Sequence, residues 1–100
     1  MHNYYIYILK CSDGSFYTGV TNNADRRLVE HTEGTVVKCY TYSRRPVSMV
    51  YCEHTTNIHV AIAREKQIKG WSRKKKIALI EQNLGQLIEL SNYTNRLNNL

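Results

Sequence analysis

One hundred residues carry a formal net charge of +6 with only eight acids, and the longest apolar stretch near the start is Tyr4–Leu9. That excludes a secretory leader and a membrane span there, and it points to one cytoplasmic domain with a polyanionic partner. Cys11, Cys39 and Cys52 are odd in number and lack Cys-x-x-Cys spacing, which argues against a disulfide framework or zinc site and for a reducing compartment.

Two aromatic, β-branched runs, Tyr4–Lys10 and Phe16–Thr21, flank Ser12-Asp13-Gly14-Ser15 and read as a β-hairpin. A two-residue turn at Asp13-Gly14 would put Tyr7 and Tyr17 on opposite faces, because side chains alternate along a strand. A three-residue loop, Ser12-Asp13-Gly14 with Gly14 left-handed, shifts the register by one. Tyr7 then lies across from Gly19 and Leu9 across from Tyr17, so both tyrosines share a face. Gly19 would leave a gap between the hydroxyls that a ligand can enter. The second register is the one expected.

A helix should follow, capped by Thr21 or Asn22, with Asp25 three residues after Asn22 placed to reach back. Arg26, Arg27 and His31 ride on it, and Arg27 and His31, four residues apart, share a face. Thr32-Glu33-Gly34 supplies its stop. Residues 35–43 read as a loop, closed by Arg44-Arg45-Pro46. Val47–Glu53 alternates, with Val47, Met49 and Tyr51 on one face, and reads as a third strand.

The second helix should start near Thr56 or Asn57 and end at Gly70. Its stripe is Ile58, Ala61, Ile62, Glu65 and Ile68 or Lys69, so Glu65 stands where an apolar residue belongs. A carboxylate there needs a partner, a hydrogen-bond network or a metal. Ser72 can cap a third helix, Arg73 to about Gln82. Its first turn, Arg73-Lys74-Lys75-Lys76, opposes the macrodipole but would attract phosphate. From Arg64 to Lys76 there are seven bases and one acid. The plainer reading of that run is a solvated basic face. Leu87, Ile88 and Leu90 are expected to pack on the domain, and residues 91–100 to fray.

Tyr5-Ile6-Tyr7, Tyr17-Thr18-Gly19 ten residues on, and Arg27 ten after Tyr17 together resemble the GIY-YIG nuclease superfamily. Arg26-Arg27-Leu28 with Glu30-His31, then Arg44-Arg45-Pro46-Val47, and Arg64-Glu65-Lys66-Gln67-Ile68-Lys69-Gly70 are similar to its small stand-alone bacterial members, of the UPF0213 type. Two positions depart from the bare motif: Tyr5 replaces a glycine, and Thr18 is the middle residue of the second tripeptide. The likeness covers the chain to about residue 83.

The resemblance implies an α/β fold, a three-stranded antiparallel sheet flanked by helices in the order β-β-α-β-α-α. The domain would occupy residues 1–83, with a tail over 84–100. It implies Mg²⁺-dependent (or Mn²⁺-dependent) hydrolysis of DNA phosphodiesters, a chemistry of DNA repair or recombination. Tyr7, Tyr17, Arg27, His31 and Glu65 would stand at the centre. With one well-placed carboxylate, Glu65, a single metal ion is expected. Arg27 would clamp the phosphate bidentately. Tyr7 or Tyr17 would position or activate water, which requires the hydroxyl's pKa to be lowered by the arginine and metal. His31 is the alternative base or relay, or else a cap of its helix's last carbonyls. Gly19, Lys38, Arg44, Arg45, Lys69, Arg73, Lys74, Lys75 and Lys76 are the candidate nucleic-acid contacts, with RNA as compatible as DNA. The rival readings are a nucleic-acid-binding module without turnover and a basic protein-interaction domain.

Overall fold

The computed structural model describes residues 2–35 and 39–82. Lys38 and the expected tail over 84–100 lie outside the described residues. Strands β1 (Tyr4–Lys10), β2 (Phe16–Thr21) and β3 (Ser48–Thr55) form one antiparallel sheet in the order β2-β1-β3. Helices α1 (Ala24–Glu33), α2 (Ile58–Lys69) and α3 (residues 73–82) complete the β-β-α-β-α-α order, with a 3-10 turn at Tyr42–Arg44 before β3.

β1 is the middle strand, and Ile6, Tyr7, Ile8 and Leu9 are all buried because both of its faces are covered. Ile6 and Ile8 join Tyr51, Ala61 and Ile68 in an apolar cluster, with Phe16, Val20, Trp71, Leu79 and Ile80 packed against it. This is the face under α2 and α3. Tyr5, Tyr7 and Leu9 alternate to the other face, where α1 lies.

The hairpin takes the three-residue loop. Tyr7 pairs with Gly19 and Leu9 with Tyr17. Cys11 and Ser15 close the loop (N···O 2.9 Å), and Gly14 sits at φ +83°. Asp13 holds the turn, accepting from the Ser15 N–H at 2.9 Å and the Ser15 hydroxyl at 2.5 Å. Those two bonds, the hydroxyl's first, keep its carboxyl below the ordinary aspartate range.

Three local expectations are corrected. The N-cap of α1 is Asn23, whose side chain accepts from the Arg26 N–H at 3.0 Å, and not Thr21 or Asn22. Asn22 is instead bonded to the Arg26 guanidinium, which leaves Asp25 no cap to reach. In β3 a bulge opposite Ile8 and Leu9 pairs Tyr51 with Ile8 but Met49 with Leu9. Met49 and Tyr51 therefore lie on opposite faces, because one extra residue breaks the period of two. The stripe of α2 is also narrower than its periodicity suggests. Ala61 and Ile68 are buried, whereas Ile58 and Ile62 remain exposed. Gly34 at φ +72° ends α1, Asn57 caps α2 and Ser72 caps α3, as expected.

Candidate active site

Four of the expected residues converge on the α1 face of the sheet. Register puts Tyr7 and Tyr17 there from adjacent strands, with ring centroids 6.2 Å apart. One helical turn separates Arg27 from His31 on α1, and His31 is turned inward and buried. Its ring centroid lies 5.9 Å from that of Tyr7 and 5.1 Å from that of Tyr17. The Tyr7 hydroxyl is 3.0 Å from His31 Nε2. His31 Nδ1 is 2.7 Å from the hydroxyl of Thr41, itself almost fully buried. The imidazole is thus bonded at both nitrogens, to Tyr7 and to Thr41, and not to the last carbonyls of its own helix.

Gly19 is what lets Tyr7 reach. A Cβ at residue 19 would collide with the Tyr7 hydroxyl and Cζ. The expected gap between the two hydroxyls is therefore a correction: Tyr7's own ring fills it, so Gly19 serves the tyrosine and not a ligand.

The electrostatics also revise the expectation for the tyrosines. Burial pushes the Tyr7 hydroxyl above the ordinary phenol range, and the Arg27 guanidinium beside it only partly opposes this. Tyr17 is raised further, again mainly by burial. Neither phenol is preset as an anion. His31 is lowered, by burial first and then by the Arg27 charge, with Glu30 opposing. Its imidazole is neutral near pH 7 and free to accept a proton.

Arg27 is half-buried and donates to Glu30 Oε2 at 3.2 Å, so the carboxylate that Arg26 also approaches (3.3 Å) holds the guanidinium beside Tyr7. Glu30 was not among the candidates. Nor were Cys39 and Tyr40. Tyr40 stacks on Tyr17 at 6.3 Å and carries the Arg44 guanidinium 3.7 Å above its ring.

Glu65 lies on α2, with its side chain 14% exposed and Oε1 paired to Lys69 Nζ at 3.2 Å. Among the described residues no hydrogen bond or ion pair joins it to Tyr7, Tyr17, Arg27 or His31. Among the described residues no three His, Cys, Asp or Glu side chains converge as a ready metal cage. Glu65 still suits a hard divalent ion, because Mg²⁺ needs few protein ligands when waters and phosphate oxygens supply the rest.

Several candidate phosphate contacts already hold the fold together. Arg44 bonds Asp13 (3.1 Å) and the Tyr40 carbonyl (2.9 Å), tying the hairpin loop to the 40–44 turn. Arg45 packs over Gly34 and donates to the Glu33 and Tyr42 carbonyls, placing a cation at the C-terminus of α1. Arg73 donates to the Gly14 carbonyl and lies over Phe16, which pins the start of α3 to the hairpin. Lys75 stacks on Trp71 at 4.5 Å. Lys74 and Lys76 make no ion pair among the described residues.

Residues 3–78 match the GIY-YIG catalytic domain, and the chain belongs to that family, an endonuclease superfamily whose substrates are nucleic acids. It is 47% identical over 83 residues to a UPF0213 protein of Syntrophus aciditrophicus, spanning 83% of this chain and 95% of that one. With a UPF0213 protein of Bacillus pumilus it shares 46% over 81 residues, 81% of this chain and 82% of the other. A solution NMR structure of a UPF0213 protein from Bacillus halodurans superposes with a TM-score of 0.54 at 39% identity, covering 80% of this chain and 84% of that one. A second, from E. faecalis, gives 0.55 at 38%, covering 87% and 91%. Among the described residues no helix is long and apolar enough to cross a membrane.

Proposed function

We propose that this protein is an endonuclease hydrolysing DNA phosphodiesters with one Mg²⁺ or Mn²⁺ ion. The observation that carries the reading is the buried Tyr7–His31 hydrogen bond of 3.0 Å beside Arg27. A scissile phosphate against Arg27 would meet a fork of donors matched to its oxygens. Water placed on the Tyr7 oxygen attacks phosphorus and passes its proton to that oxygen as Tyr7's own proton moves to His31 Nε2. A neutral imidazole thereby takes the charge, and no phenolate has to exist beforehand. Glu65 would hold the ion, which when bound supplies positive charge against the developing negative phosphate oxygens.

The test is a panel of labelled duplex, single-stranded, flapped and branched DNAs, with and without Mg²⁺, beside Tyr7→Phe and Glu65→Ala. We expect Mg²⁺-dependent products from the wild type. Tyr7→Phe should lose at least about 100-fold, the low end of what general acid–base catalysis supplies. Salt-dependent binding without products, in every arm, would leave a non-catalytic nucleic-acid module instead.

A further inference from the structure

The hydrogen-bonded chain does not stop at His31. Thr41 Oγ1 lies 2.7 Å from His31 Nδ1 and also donates to Cys39 Sγ at 3.5 Å. Thr41 stands at the cap position of the Tyr42–Arg44 turn yet makes no capping bond there. Its hydroxyl serves the histidine and the sulfur.

A hydroxyl has one proton. In the arrangement that directs this proton to Cys39, Thr41 meets Nδ1 at 2.7 Å as an acceptor and Nδ1 carries the imidazole hydrogen. In the neutral ring Nε2 is then bare and faces the Tyr7 hydroxyl as an acceptor. The other end agrees. Arg27, which has donors only, lies beside the Tyr7 hydroxyl and can offer its oxygen no acceptor. The phenol hydrogen is left to point at Nε2. One direction runs through all four groups: Tyr7 O–H to Nε2, Nδ1–H to Thr41, Thr41 O–H to Cys39.

We propose that Thr41 is a positioning residue that fixes the His31 tautomer, holding Nε2 unprotonated so that it can take the Tyr7 proton. This rests on the hydrolytic reading for its consequence but not for its geometry. Without the hydroxyl, Nδ1–H has no acceptor, the ring can carry its hydrogen on Nε2, and Nε2–H would then donate to Tyr7 and block the transfer. The groups facing the ring are Tyr7 and Tyr17 from the strands, Arg27 and Glu30 from α1, and Cys39 from the segment before the turn. Its neutral state near pH 7 follows from burial and the Arg27 charge.

The test is nitrogen-15 NMR of the histidine ring in the wild-type protein, Thr41→Val and Thr41→Ser at pH 7. The wild type and Thr41→Ser should show His31 protonated at Nδ1, and Thr41→Val should move the hydrogen toward Nε2. On a DNA that the wild type cleaves, Thr41→Val should lower kcat about 100-fold, as expected when a general base is disabled, with DNA affinity unchanged. Thr41→Ser should recover most of the rate, which a role in packing the methyl group would not allow. Wild-type His31 protonated at Nε2 would overturn the proposal whether or not the valine variant folds. So would a folded Thr41→Val with full kcat. If no DNA is cleaved by any form, the hydrolytic reading fails while the tautomer measurement still decides the role of Thr41.

Discussion

On the α2 side of the sheet, Ile6 and Ile8 meet Tyr51, Ala61 and Ile68. On the α1 side, alternate residues of the same strand bring Tyr7 to His31 and Thr41. Burial is as complete on one face as on the other, but it is achieved by different means. The apolar face gains from removing surface from water, a non-directional effect that tolerates some repacking. The polar face is stable only while each donor has its acceptor, because an orphaned buried group costs about 1–3 kcal/mol. A strand covered on both sides can thus carry an apolar core on one face and a buried hydrogen-bonded network on the other. Thr18 marks the contrast from the wrong side. It pairs with Ile8 and so faces α2, where its buried hydroxyl has no partner among the described residues.

The comparison can be broken first at Ile8, which is fully buried. Ile8→Ala should cost about 2–5 kcal/mol in chemical denaturation, the range for a large-to-small change in a core. The folded fraction should keep its cleavage rate. A loss under 1 kcal/mol would mean that the α2 face is not the main source of stability. Gly19→Ala attacks the other face by inserting a methyl group where Tyr7 now lies. Overpacking of this kind costs about 1–3 kcal/mol, and here it should also displace Tyr7 from His31 and remove activity. A fully active, stable alanine variant would show that the tyrosine can move aside.

The two buried threonines sharpen the contrast further. Thr18→Val removes an unpaired hydroxyl and should stabilise by about 1 kcal/mol, seen as a rise in Tm of roughly 4–8 °C. The same change at Thr41 should destabilise, since it strands His31 Nδ1–H. Equal signs at both positions would dissolve the distinction between the faces.

The smallest expected signal is a pH slope from the polar face alone. His31's folded pKa is depressed below 6.5, so the unfolded chain binds the proton first as the pH falls. The stability it contributes is fully present above about pH 6.5 and is lost as the pH drops through the lower, folded value. Thermal unfolding between pH 8 and 5 should show this slope, reduced in His31→Gln. Cleavage by the wild type should fall over the same acid range, because a protonated Nε2 accepts nothing. A rate that rises as the pH falls through that range would exclude His31 as the acceptor.

Element order was legible in the sequence because each signal is local. Aromatic β-branched runs make strands, Asp13-Gly14 makes the turn, and Asn57, Ser72 and Gly34 mark helix ends. The hairpin register was open in the sequence to a two- or a three-residue turn; the structure takes the expected three-residue loop with its left-handed glycine, which puts Tyr7 and Tyr17 on one face. The spacing of Arg27 and His31 placed them together on α1 for the same reason. What the residues touch at long range was not encoded in any period. Thr41 reaches His31 from an irregular segment ten residues downstream, and Arg73 is fastened to a carbonyl fifty-nine residues away. The protonation tendencies likewise depend on burial. Beside Arg27 alone a tyrosine would ionise more easily, but desolvation by the folded chain outweighs that charge and raises Tyr7, while burial and the same charge lower His31.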